Sequence, residues 1–171
     1  MLATLVERTI VRQERDFGQK MDYLRDIAGA SLVGFAKYAL FIPMSRHRTA
    51  VAADVAAVAW IVAMQHEDCG PCLQITVDHA LAEGVDPQLV RATLAGDLNA
   101  LATPLPEVYR YAEAVVTQDP KATALAERLE DLLGKKVLVD LALGIASARV
   151  FPTLKRALGH ARSCSLVQVR V

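Results

Sequence analysis

Aromatic side chains are scarce in this sequence: 5% of 171 residues, with Trp60 the single tryptophan. The hydrophobic fraction is nonetheless 53%, so the apolar content rests mainly on Ala, Leu and Val, which suits closely packed helices. Net charge is also missing, 19 Lys and Arg against 19 Asp and Glu. There is no basic excess to attract nucleic acid and no acidic tail. Three cysteines do not read as a disulfide-stapled secreted domain. Long apolar runs are lacking too. The longest, residues 49–64, is interrupted by Asp54 and falls short of the roughly 20 residues a membrane-crossing helix needs. Residues 1–8 lack a signal-peptide layout, and there is no low-complexity stretch, linker or clear repeat. The expectation is a cytoplasmic, single all-helical domain over 1–171, large enough for a full core, with no membrane or nucleic-acid partner. In that compartment a Cys-x2-Cys pair is more often catalytic or metal-binding than structural.

Such a pair is present: Cys69-Gly70-Pro71-Cys72. Pro71 suits the first position of a helix, where its missing N–H costs nothing. That places Gly70 at the cap and Cys72 in the first turn. Residues 73–83 continue as helix, and Gly84 is a good stop. Free N–H groups and the positive end of the helix dipole favour a thiolate at Cys72. A thiolate with a second cysteine in reach can attack a disulfide or a peroxide and then be resolved internally, here by Cys69.

Helical spacing orders the neighbours. Thr76 lies four residues after Cys72 on the same face, so its hydroxyl is placed to hydrogen-bond the sulfur. His79 points the same way but sits roughly 10 Å further along the axis, so it acts only through water or Thr76. Glu67, just before the motif, is the preferred proton acceptor, with His66 beside it. Asp54, the one interior charge of the apolar helix expected over 49–66, reads as a buried carboxylate, paired with an arginine or serving as a proton relay.

Two alternatives remain. Cys69, Cys72, His66 and His79 could together hold zinc in a non-redox metal-binding protein, although no second pair with ligand spacing exists. Otherwise the cysteines are structural, and a small organic substrate is held by Phe35, Tyr38 and Trp60. Cys164 reads as an idle or buried thiol.

Elsewhere, residues 4–27 show one helical stripe, with Glu7 and Glu14 on a solvated face, and 32–44 an apolar helix. Asp86-Pro87, Thr103-Pro104 and Asp119-Pro120 open three successive helices. Residues 137–151 form another, ended by Pro152, before a short helix over 153–159. The tail, 166–171, reads as an extended arm on a neighbour, or as frayed.

Residues 69–85, the apolar helix before them and the Asp86-Pro87 helix after them resemble the AhpD-like/carboxymuconolactone decarboxylase superfamily. The match covers about residues 45–100. The resemblance implies an all-α fold with the Cys-x2-Cys pair at the N-terminus of a central helix. It also implies a homo-oligomer (dimer, trimer or hexamer), with residues 1–45 partly at a subunit interface. In the AhpD-like branch it further implies an antioxidant thiol peroxidase or disulfide reductase with a thiol reductant partner, a hydroperoxide or disulfide substrate, and no cofactor. Cys69 and Cys72 carry over, with Cys72 matching the more reactive thiol. Where that branch has a relay histidine this chain has Thr76, and where it has a glutamate this chain has Ala57. Asp54 or Glu67 is left to substitute. The decarboxylase branch generally lacks the cysteine pair. The same tetrapeptide occurs in thioredoxin, but the strand that precedes it there is missing here.

Overall fold

Helix boundaries follow local chemistry through most of the chain. The computed structural model describes residues 2–160 and 167–169. In order come α1 (Leu2–Phe17), α2 (Asp22–Ala30), α3 (Leu32–Ser45), α4 (Ala53–Gln65), α5 (Gly70–Ala82) and α6 (Pro87–Ala95), then a 3-10 turn, Leu98–Ala100. They are followed by α7 (Leu105–Thr117), α8 (Ala122–Leu133) and α9 (Lys135–Ala157). No strand occurs among the described residues, so the architecture is all-α as expected.

The Asp86-Pro87 start is realised as read: the Asp86 carboxylate accepts the Gln88 N–H, and α6 ends at Gly96 in the left-handed region. Residues 4–27 divide, however. Gly18, at φ +60°, ends α1, and the Glu14 carboxylate accepts the Met21 N–H at 2.8 Å, where α2 begins. Glu7 and Glu14, expected on a solvated face, both bind Arg25. The Arg25 hydrogen bond, aided by the Met21 N–H, lowers the Glu14 carboxyl to about 2.

The bundle is built round α4, which touches α5, α6, α7 and α9. Nine of its residues are buried, so nearly every face meets a neighbour. Ala56, Ala57, Ala59 and Ala63 keep those neighbours close. The chain entering α4 is pinned by α9. The buried Asp140 carboxylate accepts the Thr49, Ala50 and Val51 N–H groups at 2.8, 2.7 and 3.1 Å. Burial opposes the charge on Asp140, but these bonds outweigh it, and its carboxyl sits below the usual range. Asp54, by contrast, is exposed in the first turn of α4, where its carboxylate accepts the Val55 N–H. The expectation that it is the interior charge is therefore corrected. The first turn of a helix already favours an anion facing water.

α9 runs through Pro152 rather than stopping there. Proline removes one helical hydrogen bond. Packing of Ala148 on the main core and of Leu154 on the N-terminal cluster keeps the last turns in line. By length and composition alone α9 could cross a membrane, a test that central helices of globular folds also pass. Here it packs on α3, α4, α7 and α8.

A separate, smaller core joins Ile10, Met21, Tyr23 and Leu24 of the N-terminal region to Phe35, Tyr38 and Leu154. Residues 167–169, expected on a neighbour or frayed, lie against this chain's own α5. The Gln74 side-chain amide donates to the Gln168 carbonyl at 2.8 Å and accepts its N–H at 2.7 Å. Cys164 lies outside the described residues.

Candidate functional site

The cysteine pair is where the spacing placed it, shifted by one residue. Cys69 is the N-cap of α5, Gly70 its first residue, and Cys72 lies in its first turn. A disulfide joins Cys69 and Cys72. Cys72 is buried at 4% exposure, whereas Cys69 is half-buried. The approach is set by Asp68, whose φ of 47° turns the chain sharply between α4 and α5.

Cys72 faces a half-open cavity of about 160 Å³ between the N-terminal helices and the main bundle. Phe17 of α1, Tyr38 of α3, Trp60 of α4 and Phe151 of α9 supply most of its aromatic wall, and Thr76 and His79 of α5 complete it. Trp60 reaches its place because α9 has no side chain at Gly144; a Cβ there would lie 1.7 Å from the indole Nε1. Phe35, expected to hold substrate with Tyr38 and Trp60, is not in the wall and packs on the N-terminal core.

The charged group in contact with the sulfur is one that the sequence did not single out. Lys155 Nζ, from the end of α9, donates to Cys72 Sγ at 3.4 Å. The same ammonium sits 5.2 Å from the centre of the Tyr23 ring. Burial lowers the Lys155 pKa from its ordinary value, and no carboxylate pairs with it among the described residues. A cation there favours sulfur in its ionised form, adding to the helix N-terminus.

The expected relay residues are rearranged. Thr76 donates to the Cys72 backbone carbonyl at 3.1 Å rather than to its sulfur. A hydroxyl one turn along prefers that carbonyl, four residues before it. His79 does share the cavity with Cys72, with its other side toward Glu83, Nδ1 to Oε1 3.7 Å, and its ring edge-on to Trp60. Glu67 is buried, and both its carboxylate oxygens are taken, Oε1 by Arg149 at 2.7 Å and Oε2 by Arg156 at 2.6 Å. Burial raises its pKa, but the Arg156 and Arg149 hydrogen bonds prevail and hold it below the usual carboxylate range. It is a tethered anion, not a free proton acceptor. His66 is exposed at the C-cap of α4. Among the described residues no three His, Cys, Asp or Glu side chains gather into a metal-binding group. Cys69, Cys72, His66 and His79 therefore do not form the ligand set considered for zinc.

The geometry defines a class: an all-α bundle with a bridged Cys-x2-Cys pair at a helix N-terminus, one sulfur facing an apolar cavity and a lysine. No family model, curated protein or solved structure matches this chain.

Proposed function

We propose that this protein is a thiol–disulfide oxidoreductase with peroxidase activity, of the AhpD-like kind that the motif resembles. The supporting observation is the position of Cys72 Sγ, in the first turn of α5, on the cavity and 3.4 Å from Lys155 Nζ.

In the reduced protein the Cys72 thiolate attacks the terminal oxygen of a hydroperoxide. The O–O bond breaks, the hydroxyl passes to sulfur so that Cys72 becomes the sulfenic acid, and the departing alkoxide takes a proton from solvent to leave as the alcohol. The Cys69 thiol then attacks that sulfur. Water leaves, carrying the sulfenic oxygen and the thiol proton, and the disulfide seen here forms. A dithiol reductant supplies two electrons to reopen it. Attack on Cys69, the more accessible half, expels Cys72 as a thiolate beside Lys155. A small disulfide substrate enters the same cycle by exchange at Cys72.

The same reading includes a cytoplasmic setting, where such reductants are available, and a homo-oligomer. The exposed apolar side chains Val33, Leu40 and Met44 of α3 support self-association, and light scattering reads the subunit number. The test of the activity is hydroperoxide turnover with dithiothreitol. Cys72→Ser should abolish it, and equal turnover in both proteins would end the proposal. The cavity, with Tyr38 and Trp60 in its wall, keeps a second reading open, an enzyme on a small organic substrate with structural cysteines. Activity surviving replacement of both Cys69 and Cys72 would favour it.

A further inference from the structure

The cavity beside Cys72 has an uneven charge distribution. Its wall is mostly aromatic and aliphatic, yet it includes Lys155 and Arg46, and no Asp or Glu. Arg46 is exposed and leans on the Phe17 ring. Lys155 is half-buried, and among the described residues it meets neutral groups: the disulfide sulfur of Cys72 and the face of Tyr23. Burying an ammonium without a counter-charge is costly, and the cost falls when an anion comes into contact. With the disulfide closed, Cys72 Sγ carries no charge, so the counter-charge must come from outside. With the disulfide open, the Cys72 thiolate provides it from within.

We propose that the oxidised protein binds a small apolar carboxylate in this cavity, its carboxylate on Lys155 and its body against Trp60 and Phe151, and that reduction of the disulfide expels it. This deepens the oxidoreductase reading and rests on it for the ionised Cys72. The size fits: a cavity of about 160 Å³ takes a molecule with a single six-membered ring, as an engineered cavity of about 150 Å³ takes benzene. Ligand and thiolate compete for one cation, so by linkage the factor by which reduction weakens binding equals the factor by which the ligand disfavours reduction.

Trp60, the only tryptophan, lies in the wall and reports occupancy. Titration with benzoate, and with benzyl alcohol as its uncharged counterpart, is read by tryptophan emission at pH 7.5 in oxidised and dithiothreitol-reduced protein. Saturable benzoate binding to the oxidised protein is expected, weakened at least about tenfold on reduction, the scale of one charge-assisted hydrogen bond. Lys155→Met in the oxidised state should lose the same factor and Lys155→Arg should keep the affinity. Benzyl alcohol should bind equally, within about twofold, in both redox states. Saturating benzoate should shift the dithiothreitol equilibrium toward the disulfide, and benzyl alcohol should not.

No benzoate binding to the oxidised protein, or equal affinity in the two redox states, overturns the proposal. If Lys155→Met fails to fold, the two redox states of the natural sequence decide alone. Binding to the oxidised protein needs no turnover. A failed peroxidase assay with benzoate binding intact would therefore count against the oxidoreductase reading and leave the cavity site standing.

Discussion

Removing the Lys155 ammonium should slow the chemistry of Cys72 by a calculable amount. A hydrogen bond to an ionised group contributes roughly 1.5–3 kcal/mol. Lys155 Nζ lies 3.4 Å from Cys72 Sγ and has no carboxylate partner among the described residues, so its stabilisation of a thiolate is undivided. At about 1.4 kcal/mol per factor of ten, its loss cuts the thiolate population at neutral pH by roughly 10- to 100-fold. A more basic thiolate is a better nucleophile, with a Brønsted coefficient of about 0.5, which restores half of that loss on a logarithmic scale. The net expectation is a roughly 3- to 10-fold slower reaction. The assay is iodoacetamide alkylation of a Cys69→Ser, Cys164→Ser protein, in which Cys72 is the one thiol, with and without Lys155→Met. Far-ultraviolet circular dichroism checks the fold, and Lys155→Arg should stay within about twofold of the parent. Equal rates in the parent and Lys155→Met would show that the contact carries no electrostatic weight and would refute the reasoning.

Two further outcomes follow from the packing. Asp140→Ala leaves the buried Val51 N–H without an acceptor, while the exposed Thr49 and Ala50 N–H groups can turn to water. The loss should be about 3 kcal/mol in urea unfolding, most of it from the buried donor, and a loss under about 1 kcal/mol would contradict the role. Because the folded pKa of Asp140 is lowered, its contribution is fully present above the unfolded value of about 3.9 and disappears as pH falls through the folded value. The difference between parent and variant should therefore shrink only below about pH 4. Gly144→Ala would put a Cβ 1.7 Å from Trp60 Nε1. It should cost about 1–3 kcal/mol and change tryptophan emission, and an unchanged spectrum would place the indole elsewhere.

What could be read from the sequence was local. Asp86-Pro87 and Gly96 mark the two ends of α6 through a side-chain cap and a left-handed glycine, and neither needs a distant partner. The Cys-x2-Cys pair lies at a helix start because Pro71 favours one there. Where the outcome depended on contacts remote in sequence, the pattern was silent or misleading. Asp54 and Asp140 are both carboxylates in apolar helices, and nothing in their immediate neighbours says which is buried. The decision comes from the N–H groups of residues 49–51, about 90 positions away from Asp140. Pro152 reads as a stop until the packing of Ala148 and Leu154 is known. Lys155 lies 83 residues from Cys72, and its one sequence signal was a cation close behind an apolar helix.

The expected role of Glu67 and the one it takes in the structure differ, and the difference explains how the site is held. A carboxylate next to a nucleophilic cysteine invites assignment as a base, but a base needs a free lone pair near the proton it takes. Both oxygens of Glu67 are bound to arginines of α9, and Arg156 also donates to the Glu67 backbone carbonyl at 2.6 Å. These bonds fasten the segment just before Cys69 to the stretch of α9 that carries Lys155. The arginine side chains are each 45% exposed, so solvent screens much of the attraction, and the value of the cluster lies in geometry more than in stability. A distance of 3.4 Å between groups on two helices persists only if the helices cannot slide. Glu67, Arg149 and Arg156 oppose that sliding on one side of Cys72, and Asp140 fixes the entry to α4 further along α9. The buried carboxylates of this protein thus position the thiol and the cation rather than exchanging protons with them.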